Sequence, residues 1–185
     1  MPLTEYYTAT TLDGFIADAN GSLEWLFTVA RGDSEAARWN AFIGNVGAMV
    51  MGATTYQWVL DHDQMVEHPQ RWRDSYGDRP CWVFSHRELP PIPGADLRFV
   101  QGDVAQVHAD MLAAAGERNV WLVGGGELVG QFHDAGLLDQ IVVSIAPVTL
   151  GAGAPLLPRR IEGLRLASVD QDGQMVGLTY EVPRR

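Results

Sequence analysis

The sequence predicts an α/β fold built on a mixed, mainly parallel sheet. Apolar, strand-like segments alternate with helical patterns along most of the 185 residues. This alternation is typical of βαβ units, in which a helical crossover makes neighbouring strands parallel. Near the end of the chain, two segments that alternate apolar and polar residues flank Asp172-Gly173. That pattern indicates a β-hairpin, which adds an antiparallel edge to the sheet.

Hydrophobic periodicity places the other elements. Trp39, Phe42, Ile43 and Val46 recur at i, i+3, i+4 and i+7, so a helix is expected over residues 34–45, capped by Asp33 or Ser34. Further helices are expected over 54–60, 104–115 and 127–135. The predicted strands are 3–10, 48–51, 81–85, 97–100, 120–123, 141–146, 164–169 and 176–182. Residues 11–22 are expected to form a loop, and the polar stretch 61–80 a surface excursion.

Composition indicates one globular domain over residues 1–185. Hydrophobic residues make up 46% of the chain and charged residues 19%, which is typical of a packed protein. The formal net charge of −10 argues against nucleic acid and anionic membranes as partners, since both require basic surfaces. The single cysteine, Cys81, lies in an apolar run and is expected to be a buried thiol. No signal peptide and no membrane span are recognised, so a cytoplasmic protein is expected.

The strongest local motif is the glycine turn Gly124-Gly125-Gly126, which joins a predicted strand to a predicted helix. Backbone N–H groups at such a helix N-terminus form an anion site suited to a pyrophosphate. The spacing is not the dinucleotide-binding fingerprint, because Val129 stands at its third glycine and Ser144 where an acid is expected. By the glycines alone, a phosphate site and a plain tight turn remain equally good interpretations.

Three other polar motifs follow predicted strands, at the sheet edge where ligands bind in α/β proteins. Asp13 follows the first strand and is either a turn residue or a functional carboxylate. Gly52 with Thr54 and Thr55 follows the second, as a helix cap or a phosphate seat. Ser85-His86-Arg87 follows the third, where Arg87 is either a solvated side chain or a phosphate ligand.

The sequence contains no clear motif for a metal site or for a catalytic nucleophile. Asp61, His62, Asp63 and His68 cluster in one polar stretch without the spacing of a metal site, so no metal is predicted. The chain has neither a Gly-x-Ser-x-Gly elbow nor a P-loop.

Taken together, the segments resemble the dihydrofolate reductase-like superfamily. They resemble most closely the C-terminal reductase domain of the bifunctional riboflavin-biosynthesis deaminase-reductase, in its stand-alone single-domain form. The resemblance covers nearly the whole chain. It rests on the order of six segments: 11–17, 20–26, 51–56, 83–85, 123–126 and 145–153.

The resemblance implies a three-layer α/β/α fold that binds NADPH at the carboxyl edge of the sheet. It assigns Asp13 to the substrate end, as a group that orients substrate or relays a proton. The residues that it assigns to the cofactor are Ala9, Thr10 and Ile16 beside the nicotinamide; Gly52, Thr54, Thr55, Val123, Gly124, Gly125, Gly126, Glu127 and Leu128 near the phosphates; and Ser85, His86 and Arg87 near the adenosine 2′-phosphate.

Two positions depart from the related enzymes. Riboflavin-pathway reductases resemble Leu-Asp-Gly followed by a basic residue, which suits a phosphorylated ribosyl substrate, whereas this chain has Phe15. Folate reductases place a carboxylate within the first long helix, whereas Glu35 stands at its very start. Trp25, Trp39 and Phe42 either wall the substrate pocket or belong to the core.

The resemblance therefore predicts an NADPH-dependent reductase that transfers a hydride to a pyrimidine-, pterin- or ribosyl-type small molecule. The alternatives are a non-catalytic nucleotide-binding module of the same fold and an enzyme that uses flavin or NADH. Relatives of this type also lead us to expect a homodimer, formed through the sheet edge or the C-terminal segment.

Overall fold

A computed structural model describes residues 1–30 and 32–184, apart from the Glu35 side chain. Within those residues the chain forms ten strands and six helices. The strands are β1 Thr4–Thr11, β2 Phe15–Ala17, β3 Val46–Gly52, β4 Cys81–Phe84, β5 Leu97–Val100, β6 Asn119–Gly124, β7 Gln140–Ala146, β8 Ala154–Pro155, β9 Arg165–Asp172 and β10 Met175–Glu181. The helices are α1 Glu24–Phe27, α2 Glu35–Gly44, α3 Ala53–His62, α4 Gln70–Tyr76, α5 Val104–Ala115 and α6 Gly126–Asp134.

Eight of the strands form one sheet in the order β5-β4-β3-β6-β1-β7-β10-β9. The strands from β5 to β7 are parallel, so β3, β6 and β1 end at the same edge. β10 runs antiparallel to both β7 and β9, which confirms the predicted hairpin and the mixed sheet.

Helices cover both faces of this sheet, which confirms the three-layer architecture. Side chains alternate along each central strand: Ala48 and Val50 of β3 point to one face, and Met49 and Met51 to the other. The first face packs against α5 and α6. The second face packs against α2, α3 and α4. In the described part of the chain, no helix is long and apolar enough to cross a membrane.

Two segments were expected to be irregular, and both expectations are wrong. The stretch 61–80 contains α4, whose Trp72 is 2% exposed, and the fully buried Met65. Two large apolar side chains in a polar stretch are too few to produce a periodic pattern, although they suffice to dock the segment on the core. In the stretch 11–22, β2 pairs with β8 about 140 residues later in the chain. Such a pairing leaves no local signal.

The predicted helix caps also differ from the structure. α3 begins at Ala53 with Gly52 as its N-cap, so neither Thr54 nor Thr55 caps it. Ser34 does occupy the N-cap position of α2, but its hydroxyl donates to Asp172 Oδ1 at 2.6 Å instead of accepting from the helix. Cys81 is fully buried as predicted, and burial raises the pKa of its thiol.

Candidate functional site

Two glycine turns meet where β3 and β6 end side by side. A Cβ placed on Gly52 would lie 3.9 Å from Gly124 O and from Gly125 N, and one placed on Gly124 would lie 3.3 Å from Thr55 Oγ1. A Cβ on Gly125 would meet no atom within 4 Å, so this residue faces open space. The structure therefore brings together Gly52, Thr55, Gly124 and Gly125, four of the residues that the resemblance assigns to the phosphates.

The same two turns start helices. α3 begins directly after Gly52 and α6 directly after Gly125, and neither N-terminus has a side-chain cap. The first backbone N–H groups and the positive dipole ends of both helices therefore lie side by side at the sheet edge. That arrangement suits a phosphate or pyrophosphate group. Thr54 lies exposed in the first turn of α3.

Gly126 has a structural task in addition to its position in the turn. A Cβ at this residue would lie 2.5 Å from both Pro155 O and Leu156 O. Any larger side chain would therefore push α6 away from the end of β8 and the residue that follows it. Leu128 is 8% exposed and packs in the core beneath the turn.

The Glu127 carboxylate is engaged by an arginine. Its oxygens accept from Arg159 at 2.6 Å and 3.0 Å, and Arg159 also donates to Asp134 at 2.7 Å. The bonds from Arg159 lower the pKa of Glu127, which therefore remains ionised and neutralised. Because the Glu127 side chain is occupied, only its backbone N–H, in the first turn of α6, is available to bind a cofactor.

Beside the turns, an aromatic cavity of about 630 Å³ opens between the sheet and helices α1 to α3. Ala9, Thr55 and Val123, all predicted to contact the cofactor, line it. The other lining residues are mainly large and apolar: Tyr7, Leu26, Phe27, Trp39, Trp58, Val59, Tyr76, Trp121 and Met175. A planar ring fits such walls, and the two glycine turns lie next to them at the sheet edge.

The walls of this aromatic cavity are held by ring contacts. Trp39 and Trp121 meet edge to face with their centroids 5.6 Å apart, and Trp121 Nε1 donates to Tyr7 O at 3.0 Å. Phe42 stacks on Tyr7 with a centroid distance of 4.0 Å. Of the three aromatic residues predicted for the pocket or the core, Trp39 lines the cavity. Phe42 and Trp25 do not: Phe42 stacks on the lining residue Tyr7, and Trp25 is buried.

Asp13 does not line the aromatic cavity. Its carboxylate accepts from Thr11 Oγ1 at 2.6 Å, from Gly151 N at 2.7 Å and from Leu150 N at 3.0 Å. These bonds, led by the one from Thr11, lower the pKa of Asp13. The residue therefore ties the loop after β7 to the end of β1.

Thr10 and Ile16 belong to the same tied region. Thr10 is 3% exposed, and its hydroxyl donates to Phe15 O at 3.1 Å. Ile16 lies within β2, which pairs with β8. Both residues shape the turn between β1 and β2. Of the three residues predicted to lie beside the nicotinamide, Ala9 lines the aromatic cavity and Thr10 and Ile16 do not.

Ser85, His86 and Arg87 line a separate depression of about 680 Å³ after β4. Ser85 is buried; its hydroxyl donates to Arg87 O at 2.6 Å and accepts from Arg87 N at 3.1 Å. His86 and Arg87 are exposed at the rim. Ser85 thus shapes the loop after β4, and Arg87 is exposed to solvent. β4 is the neighbour of β3 in the sheet, so this loop lies next to the turn after β3.

An ion pair beside the aromatic cavity left no signal in the sequence. Arg38 Nη1 lies 2.5 Å from Asp170 Oδ1 and 4.0 Å from Asp172 Oδ2. Arg38 and Asp172 both line the cavity. Arg38 directly precedes the recognised helix residue Trp39, but its partners stand more than 130 positions later. No local pattern could have joined them.

Comparison with known proteins decides the family. The family model described as "RibD C-terminal domain" matches residues 5–178. The chain belongs to this family. Solved structures with a similar fold include a diaminohydroxyphosphoribosylaminopyrimidine deaminase/5-amino-6-(5-phosphoribosylamino)uracil reductase from Thermotoga maritima. That structure is 16% identical with a TM-score of 0.64, over 98% of this chain and 57% of the other, which shows the shared fold.

Two relatives match this RibD-type domain over nearly their full lengths. A putative riboflavin biosynthesis protein from Shewanella sp. PV-4 is 26% identical with a TM-score of 0.79, over 98% of this chain and 99% of that structure. The uncharacterized protein YwjB from Bacillus subtilis (strain 168) is 29% identical over 180 residues, 96% of each chain. The match to this chain therefore spans nearly the whole of both relatives.

Proposed function

We propose that the protein is an NADPH-dependent reductase that acts on a pyrimidine-, pterin- or ribosyl-type small molecule. The observation that carries this proposal is that two uncapped helix N-termini lie side by side at Gly52, Gly124 and Gly125, beside a cavity lined by Ala9, Thr55 and Val123. Phosphates and a planar ring are the two parts of a nicotinamide dinucleotide, so the residues present fit this cofactor.

Each group of residues has a task in this proposal. The backbone amides after Gly52 and Gly125 would hold the phosphates. Gly124 has no side chain, so the gap between it and Thr55 stays open, whereas a Cβ there would lie 3.3 Å from Thr55 Oγ1. Ala9 and Val123 would flank the nicotinamide, and the aromatic walls would exclude water from it. When bound, NADPH supplies a hydride, while the protein supplies orientation and a dry site. Asp13 positions the neighbouring loop at Leu150 and Gly151.

The first test is to titrate the purified protein with NADPH and, separately, with NADH. Trp39, Trp58 and Trp121 line the aromatic cavity, so their fluorescence should be quenched when nicotinamide binds. We expect micromolar NADPH binding and clearly weaker NADH binding. Failure of both dinucleotides to bind would refute the reductase proposal. Binding of NADPH without its oxidation by pyrimidine, pterin or ribosyl compounds would instead favour a non-catalytic nucleotide-binding module.

Arg87 is the residue assigned to the 2′-phosphate that distinguishes these two dinucleotides. Its exposed guanidinium beside the buried Ser85 suits a charged hydrogen bond to phosphate. Arg87→Ala should weaken NADPH binding about tenfold and leave NADH binding unchanged. Arg118→Ala removes the same charge next to β6 at its amino end, where it should alter neither affinity. An unchanged NADPH/NADH preference in Arg87→Ala would remove Arg87 from the cofactor site.

A further inference from the structure

The electrostatics of the aromatic cavity are set by one ion pair. Among the described residues that line the cavity, Arg38 is the only basic side chain. Its guanidinium faces two carboxylates, those of Asp170 at 2.5 Å and Asp172 at 4.0 Å. The three groups together carry a charge of −1. Arg38 therefore has no uncompensated charge to offer an anionic ligand.

This ion pair is built into the packing of the fold. A Cβ placed on Gly177 would lie 2.6 Å from Asp170 Oδ1 and 2.8 Å from Arg38 Nη2, so the pair lies directly on the backbone of β10. Asp172 is 9% exposed and accepts from the Ser34 hydroxyl at 2.6 Å. A Cβ on Gly32 would overlap Asp172 Oδ1, so the chain before α2 also packs on this carboxylate. Asp172 is thus held in place by its neighbours, while Arg38 and Asp170 form the more exposed side of the cluster.

The other walls add to the same preference. Trp39, Trp58, Tyr76 and Trp121 present indole and phenol rings to the aromatic cavity. The faces of such rings carry partial negative charge, which attracts cations and repels anions. Burial raises the pKa of the Tyr76 phenol, so this ring stays neutral in the physiological range.

We propose that the aromatic cavity selects a planar heteroaromatic ligand that is cationic or uncharged, and that it excludes a ring carrying a phosphate group. The substrate of the proposed reductase would accordingly be a non-phosphorylated heterocycle, a conclusion that rests on the proposed function. The charge preference itself rests on Arg38, Asp170, Asp172 and the aromatic walls, and it holds for the protein without cofactor.

Bicyclic probes of similar size but different charge test the preference. Calorimetric titrations would use N-methylquinolinium as the cation, quinoline as the neutral ring and naphthyl phosphate as the anion. We expect N-methylquinolinium to bind at least about tenfold more tightly than naphthyl phosphate, with quinoline between them. Equal affinities, or tighter binding of naphthyl phosphate, would overturn the proposal.

A matched pair of variants tests the cause. Asp170→Asn releases Arg38 from its nearest carboxylate, so naphthyl phosphate should gain about tenfold in affinity and N-methylquinolinium should lose affinity. Asp96→Asn makes the same change in net charge at a pair with Arg98 that lies away from the cavity, and the two aspartate side chains are 48% and 47% exposed. If both variants behave alike, overall charge and not the ion pair sets the preference, and the proposal fails.

A repeat of the titrations at saturating NADPH separates this proposal from the proposed function. N-methylquinolinium should still bind, because the substrate's part of the cavity remains open beside the cofactor. Its displacement by NADPH would place the probe in the cofactor's part and overturn the substrate assignment. A protein that shows the charge preference but fails to bind NADPH would refute the reductase and leave the ligand preference intact.

Discussion

The Asp13 carboxylate holds two chain segments together, since it accepts from Thr11 on one side and from the amides of Leu150 and Gly151 on the other. Asp13→Asn replaces one acceptor oxygen with a donor that faces backbone N–H groups. We expect faster amide hydrogen exchange at Leu150 and Gly151, NADPH affinity within about twofold of wild type, and loss of reductase turnover because the loop shifts. Unchanged exchange together with unchanged turnover would remove Asp13 from the mechanism.

The same carboxylate makes the loop sensitive to acid. Because the folded protein lowers the pKa of Asp13, the contact is fully present above the ordinary pKa of an aspartate and is lost as pH falls through the lowered value. The protection factor of the Gly151 amide in the wild type, which is its intrinsic exchange rate divided by the observed rate, should therefore fall at strongly acidic pH. The protection factor in Asp13→Asn should not show this fall.

Arg159 neutralises a carboxylate next to the proposed phosphate site at the N-termini of α3 and α6. It neutralises Glu127 in the first turn of α6 and also binds Asp134 in the last turn. Arg159→Ala leaves the Glu127 carboxylate free to repel a phosphate, so NADPH affinity should fall about fivefold. Arg160→Ala removes a neighbouring arginine whose partner is the exposed Glu162, and it should leave NADPH affinity unchanged. Equal losses in the two variants would indicate a general charge effect.

At the scale of an element, β1 carries the site at its carboxyl end and a buried acid at its amino end. Glu5 is 5% exposed, with Asn119 Nδ2 donating to its Oε1 at 2.9 Å. Burial raises the pKa of Glu5. A raised folded-state pKa means that the stability contributed by the neutral acid is present below the unfolded pKa and is lost as pH rises through the folded value.

Glu5→Gln should therefore stabilise the protein at neutral pH. The amide keeps an oxygen for Asn119 and carries no charge to desolvate, so Tm at pH 7 should rise by about 2 °C, with little difference at pH 4. Glu24→Gln, at an exposed position of α1, should change Tm at neither pH. A Tm gain of equal size at both pH values would show that the charge of Glu5 is not responsible. Thermal unfolding followed by circular dichroism provides the measurement.

The elements also show where sequence reasoning succeeds and where it stops. Apolar runs bounded by glycines predicted the central strands and the turns after β3 and β6, because burial on both faces is a local pattern. Pairings between distant segments leave no such pattern. The β2–β8 ladder and the Arg38–Asp170 pair each join residues more than 130 positions apart, so the shape and charge of the aromatic cavity appear first in the structure.

At the scale of the whole molecule, β9 is an edge strand with exposed apolar residues. Leu166 is 50% exposed and Val169 is 60% exposed, and Val176 beside them on β10 is 39% exposed. An open edge of this kind favours pairing with another chain. We propose that two copies associate through β9 and β10, which is the homodimer expected from the resemblance.

Light scattering after gel filtration tests this association. The wild type should run at twice the 20.3 kDa of one chain, and Val169→Asp should run as a monomer because it places a charge in the interface. Val66→Asp, at a valine that is 48% exposed beyond α3, should remain dimeric. A monomeric wild type at micromolar concentration would contradict the proposal.

The central place of β1 has a consequence for how the protein is made. Tyr6, near the first end of the chain, aligns with Leu122 on one side and Ile141 on the other. A ribosome adds about 5–20 residues per second, so the strand waits several seconds before either partner has been synthesised. Meanwhile β3, β4 and β5 can pair among themselves, because their sequences are close together. The nascent chain therefore carries its central strand unpaired until β6 and β7 have been synthesised, exposed to chaperones and proteases, and the floor of its cavity closes only after that point.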